Sequence, residues 1–293
     1  MNSFFFIAVT LIVLSYSGIF WLYAGHYWLE DYVYGIYSMS PMVFVVFLWL
    51  VWRKREVFNN FEGSYFNAGW GYILLFAAVL MKLHGEINGY SVLRGFSLIP
   101  LLFGLTIIFY PAETVKRMSF PYFYLIFVIP MPTFLLDELI RPLLDLNTFL
   151  VEKILAPIGL PIEKTGYVFS FNDFRNTGFH EVIIGGGCSG IGSLMVCLAI
   201  GALYLYLREI NNRLKSILFA AIVFFTLAAN TIRIIAMILM IYFFGPAYGH
   251  GFYHEYSGFF VFGTALVLSM KFEEFMNRNG KYNIDGQKQN SNS

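Results

Sequence analysis

The chain is 293 residues long, 58% hydrophobic and only 13% charged, with a mean hydropathy of +0.65. A soluble domain of this length carries roughly a quarter charged residues, so an ordinary water-facing surface is excluded and an integral membrane protein set among lipids is expected. The formal net charge of +1 gives no basis for nucleic-acid binding, and two cysteines, Cys188 and Cys197, are too few for a disulfide framework.

In chain order, uncharged stretches long enough to cross a hydrocarbon core of about 30 Å recur almost throughout. The first runs from Phe4 to about Ala24. It lacks a basic leading segment and an A-x-A-like cleavage site, and so reads as a retained transmembrane helix rather than a signal peptide. Further candidates at 33–52, 66–83, 95–112, 118–136, 188–207, 216–242 and 256–271 bring the expected number to eight. The predicted fold is therefore an all-α polytopic membrane protein, a single transmembrane domain over residues 1–276. Residues 277–293, rich in Asn, Gln, Ser and Lys, read as a disordered cytoplasmic tail.

With the amino terminus inside, the connections holding Arg53, Lys54 and Arg55, then Lys116 and Arg117, then Arg208, Arg213 and Lys215 all fall on the cytoplasmic side. That is the positive-inside pattern. The outer side then holds one sizeable segment, 137–187. Its first part mixes apolar and charged residues as an amphipathic surface helix does, and Gly166–Phe171 with Glu181–Ile184 reads as a short β-hairpin.

Three features carry chemistry, all within the expected catalytic region 137–271. Gly185-Gly186-Gly187-Cys188-Ser189-Gly190 closes the outer segment and opens the sixth span. A cysteine at a helix start feels unpaired amides and the positive end of the dipole, which favour thiolate; the same small residues also serve tight helix packing. Arg233 follows a run of 17 uncharged residues, a costly place for arginine that usually marks function, although an arginine there can also reach the headgroups. Asn230, three residues earlier on the same helix face, either holds the guanidinium or bridges to another helix. His254, followed by Gly258, opens the last span and can exchange a proton with a thiol; His250 in the same loop is the alternative base. Cys197, deeper in its helix, reads as core. Neither a paired-cysteine metal motif nor a nucleotide-binding glycine fingerprint is present, so neither metal nor cofactor is expected.

The set Cys188-Ser189-Gly190, Asn230-x-x-Arg233 and His254-x-x-x-Gly258, each at the outer end of one of the last three spans, resembles the exosortase/archaeosortase family, most strongly over 185–270. The histidine at 254 resembles the bacterial exosortase branch. The resemblance implies a polytopic enzyme of the prokaryotic inner membrane, with its active site on the extracytoplasmic side. It implies a cysteine transpeptidase with Cys188 as nucleophile, Arg233 and His254 as its partners, and Asn230, Ser189, Gly190 and Gly258 in support. Its implied partners are secreted proteins ending in a short motif, a transmembrane helix and a basic cluster, with a lipid or glycan as acceptor. A transporter or noncatalytic scaffold, with Arg233 binding an anion or a helix, is the competing class.

Overall fold

The computed structural model describes residues 15–19, 21–25, 39–59, 68–174, 178–246 and 252–278. The chain packs as two compact units, Met1–Thr133 and Phe134–Ser293.

The first unit contains helices α1 (Ser40–Arg53), α2 (Ala68–Ile87), α3 (Ser91–Phe96), α4 (Leu98–Phe109) and α5 (Ala112–Tyr124). Glycine sets the crossing of α2 and α4. A Cβ at Gly71 would come within 2.6 Å of the Ile108 side chain and 3.1 Å of the Gly104 carbonyl, and one at Gly104 within 2.9 Å of the Gly71 carbonyl. Small residues at both positions let the two backbones touch, the usual device of apolar helices that lack a hydrophobic drive between them.

The second unit contains α6 (Thr133–Leu155), strands β1 (Ile162–Thr165), β2 (Val168–Asn172) and β3 (Phe179–Ile183), then α7 (Ile191–Leu207), α8 (Asn212–Phe244) and α9 (Phe252–Arg278). The sheet is antiparallel in the order β1-β2-β3, with Phe169 opposite Val182 and Phe171 opposite His180. Phe169, Phe171 and Val182 form its buried face, and the Phe171 ring lies 6.0 Å from that of Tyr242 near the end of α8. Two polar contacts fasten α6 to the sheet: the Tyr167 hydroxyl donates to Asp145 at 2.8 Å and Lys164 Nζ to Glu152 at 3.0 Å. Cys197, Ile222 and Ala265 tie α7, α8 and α9 together. At the other end, buried Glu273 accepts from Arg208 at 2.8 Å and from the Tyr204 hydroxyl. Asn211 caps α8 by accepting from the Leu214 amide at 2.7 Å, which satisfies one orphan donor of its first turn.

The expectation of eight spans in an all-α fold is overturned. Among the described residues three helices are long and apolar enough to cross a membrane: Ala68–Ile87, Ser91–Phe109 and Asn212–Phe244. Apolar run length proved a poor measure of helix length. The run at 118–136 breaks where α5 gives way to a 3-10 turn at Leu125–Phe127 and then to Pro130 and Pro132. The runs at 33–52 and 188–207 yield helices of 14 and 17 residues, about 21 and 26 Å long, short of the hydrocarbon thickness. The last run is the middle of α9, which continues into Lys271, Glu273 and Glu274 and falls outside the set. Of the expected spans, residues 4–14, 20, 33–38 and 66–67 lie outside the described residues, as do 279–293 of the expected tail. The expected strand pair is present as β2 and β3, within a sheet of three strands rather than a lone hairpin.

Candidate active site

The chain enters the site from β3 through Ile184, whose amide donates to the Tyr167 carbonyl at 2.9 Å. Gly186–Cys188 then forms a single 3-10 turn, closed by Cys188 N to Gly185 O at 2.9 Å and Ser189 N to Gly186 O at 3.1 Å. The Ser189 hydroxyl donates to the Gly186 carbonyl at 2.6 Å and accepts from the Ile191 amide at 3.3 Å, stapling the turn to the start of α7. Gly190, the N-cap of α7, has φ +84°, a conformation that costs other residues about 1–2 kcal/mol. A Cβ there would also lie 2.7 Å from Asn230 Cγ. Both geometry and space therefore require glycine in the Cys188-Ser189-Gly190 sequence.

Buried carboxamides hold this turn from behind. Asn230 Nδ2 donates to the Cys188 carbonyl at 3.0 Å and to Asn147 Oδ1 at 3.2 Å. Asn147 Nδ2 donates to the Ser189 carbonyl at 3.0 Å and to Leu143 O at 2.7 Å. The Thr231 hydroxyl reaches Asn147 Oδ1 at 3.0 Å. Consecutive carbonyls on the carboxyl side of the thiol are thus each clasped by a side chain, one from α8 and one from α6. The buried Asn230 Oδ1 has no hydrogen-bond partner among the described residues. Asn230 therefore spends its donors on the Cys188 turn and on Asn147, and does not hold the Arg233 guanidinium through its oxygen.

Cys188 is buried and forms no disulfide. It sits in the 3-10 turn ahead of α7 rather than at a helix start, and burial pushes its pKa up, while the Arg233 guanidinium and the hydrogen bond to Gly185 pull it down. Burial thus works against the thiolate that a helix start favours, and the Arg233 charge is the main influence toward its ionisation. Arg233 itself is half-buried on α8, about 32 Å along the axis from Asn212, roughly one hydrocarbon thickness from the basic end at Arg213 and Lys215. Cys197 is fully buried in the α7–α8–α9 contact and belongs to the core.

The structure thus brings together Cys188, Ser189, Gly190 and Asn230, with the charge of Arg233 acting on the thiol. His254 and Gly258 lie in the first two turns of α9, and His250 is outside the described residues. A third histidine in this unit, His180, packs against Phe171 with Nε2 3.6 Å from Asp173 Oδ2 on the inner side of the sheet. Among the described residues no group of three His, Cys, Asp or Glu side chains could hold a metal ion.

Asn147 escaped the sequence reading, although the signal was present. It occupies the buried stripe Leu136, Ile140, Leu144, Asn147, Val151, Leu155 of α6, where spacings of three and four predict an apolar residue. Asn147→Ala would leave the Ser189 carbonyl without its donor, a loss of about 1–3 kcal/mol for one orphaned buried group. The expected result is a protein that melts earlier and reacts less selectively at Cys188. Differential scanning fluorimetry together with alkylation of Cys188 measures both, and an unchanged melting temperature and alkylation rate would contradict the clasp.

Long apolar helices, one carrying an arginine about a bilayer thickness from its basic end, make this a multi-pass membrane protein. The chain belongs to the transmembrane exosortase family, whose model, described as transmembrane exosortase (Exosortase_EpsH), matches residues 28–271. The match spans Cys188, Asn230, Arg233 and His254 and associates the chain with the membrane sorting enzymes of that family. Neither a curated protein nor a solved structure matches the chain.

Proposed function

We propose that this chain is a membrane-embedded cysteine endopeptidase and transpeptidase of the bacterial exosortase branch, which cuts the carboxy-terminal sorting signal of secreted proteins. The observation that carries the reading is the convergence on one buried cysteine of a clasped backbone turn and an arginine charge, within a chain of this family.

Because burial disfavours the Cys188 thiolate, the reaction calls for a base. His254, or alternatively His250, takes the thiol proton as sulfur attacks the substrate carbonyl. Arg233 stabilises the negative charge that develops on the carbonyl oxygen. Collapse of the tetrahedral adduct breaks the C–N bond, the imidazolium protonates the leaving amine, and the upstream part of the substrate remains as a thioester on Cys188. An amine or hydroxyl from a lipid or glycan acceptor then gives its proton to the imidazole and takes the acyl group; water in its place gives hydrolysis. No metal or cofactor enters these steps. The direct test is co-expression with a secreted protein that ends in a short motif, an apolar span and a basic cluster. The expected outcome is loss of that tail only when the sorting enzyme is present, and retention of the intact tail would sink the proposal.

The active site is placed on the extracytoplasmic side of the inner membrane, with 53–60 and 208–215 on the cytoplasmic side and 137–187 outside, following the charge asymmetry of the connections. Single cysteines introduced across these segments, labelled in whole cells with a membrane-impermeant thiol reagent, should react in 137–187 and stay protected in the two basic segments. Labelling of both basic segments from outside would reverse the orientation.

A further inference from the structure

The geometry points to a peptide-binding edge: the outward side of β3, which leads through Gly185 to the Cys188 turn, takes the extended substrate segment beside the scissile bond as a fourth strand. This rests on the reading of Cys188 as nucleophile. The bonds from Ile184 N to Tyr167 O and from Asp173 N to Gly178 O bracket the β2–β3 ladder. With the register Val168 to Ile183 and Phe169 to Val182, the N–H and C=O groups of His180, Val182 and Ile184 turn toward β2. Those of Phe179, Glu181 and Ile183 turn away from it, and no third strand pairs with them among the described residues.

Exposed edges are normally blunted by proline, lysine, bulges or a covering element, because they template the addition of another strand. The edge Phe179-His180-Glu181-Val182-Ile183 has neither proline nor lysine, and its outer face presents Phe179 and Ile183, 64% and 68% exposed.

The glycines that follow extend this strip. Gly185 has φ −92° and Gly187 is not among the positive-φ glycines, so neither needs glycine for its backbone conformation. Nothing lies within 4 Å of a Cβ added at either position, so packing does not demand glycine there, unlike at Gly190. The missing side chains leave open space beside Gly185 and Gly187 on the path from the strand edge to the thiol, while the Gly185 and Gly186 carbonyls close the Cys188 turn. A peptide added to β3 gains main-chain hydrogen bonds along an edge that ends five residues before Cys188, and strand addition of this kind draws affinity from the backbone and specificity from alternate side chains.

The alternation supplies the test. The probe is a fluorogenic peptide spanning the junction between the short motif and the apolar helix of a secreted protein from the same genome, cleaved by the full-length protein in detergent. Backbone N-methylation is scanned along the probe. Methylation at every second residue should lower kcat/KM about tenfold, since each removes one main-chain hydrogen bond, while methylation at the residues between should do little. Glu181→Pro removes an outward N–H without touching the ladder, a substitution that edge positions accept. It should lower kcat/KM by a similar factor while leaving alkylation of Cys188 by a small maleimide unchanged. Cleavage that is indifferent to the parity of methylation overturns the edge while leaving the nucleophile standing. Absence of any cleavage by the wild-type protein overturns the nucleophile reading and the edge with it.

Discussion

Cys188→Ala is expected to abolish processing of a tail substrate, whereas Cys197→Ala at equal membrane abundance should retain most of it. The two thiols share a chain segment, and both are buried and outside any disulfide, so burial alone does not separate them. What separates them is the company each keeps. Cys197 touches Ile222, Ala265 and Phe225, and its removal costs a packing contribution on the order of 1 kcal/mol with no effect on chemistry. Cys188 sits on a turn whose carbonyls are held by Asn230 and Asn147, under the influence of the Arg233 charge. Quantifying full-length and trimmed substrate by immunoblot in the two variants decides the matter. Comparable trimming in both would remove Cys188 from the chemistry.

The second large effect is at Arg233, and it has two components that lysine separates. The guanidinium lowers the pKa of a thiol that burial has raised. Since only the thiolate is nucleophilic, direct alkylation of Cys188 rises with pH through a range above that of an ordinary thiol. Arg233→Ala removes the lowering influence, so the alkylation profile moves to still higher pH. Arg233→Lys keeps the charge and leaves the profile near wild type. Acylation by substrate behaves differently, because stabilising the carbonyl oxygen needs directed donors and lysine lacks the planar fork. Loss of such a donor costs about 3 kcal/mol in the transition state, so both variants should acylate on the order of a hundredfold more slowly. Near-wild-type acylation by Arg233→Lys would reduce the residue to a charge, and near-wild-type acylation by Arg233→Ala would remove it from the mechanism.

The residues that stood out in the sequence were those that break a local rule. An arginine inside a long uncharged run is visible because helices in membranes rarely carry one without cause, and the glycines flanking Cys188 stand out as a dense local cluster. Gly190 could be singled out in this way, but its reason could not: the contact with Asn230 joins residues forty positions apart. Asn230 illustrates the same limit. Its spacing from Arg233 left open whether it holds the guanidinium or bridges to another helix; its donors go to the Cys188 carbonyl and to Asn147 on α6, partners that spacing alone could not name.

The number of spans was misjudged because breaks such as Pro130 and Pro132 can be tolerated inside a helix bundle, whereas here they divide the apolar run between Tyr124 and Thr133. β1 was missed because Ile162-Glu163-Lys164-Thr165 is half charged. It becomes a strand through pairing with β2 across Gly166-Tyr167, with Gly166 at φ +62°, the positive angle that two-residue hairpin turns demand.

The account stands or falls on a covalent intermediate. Purified wild-type protein is mixed with a tail substrate, quenched in acid to preserve thioesters and digested, and the peptide containing Cys188 is examined by mass spectrometry. The account predicts that this peptide gains the mass of the upstream substrate fragment, that neutral hydroxylamine removes the added mass, and that Asn230→Ala lowers its yield. Substrate that is cleaved while the Cys188 peptide stays unmodified throughout the time course, with the adduct found on another residue or nowhere, would contradict it.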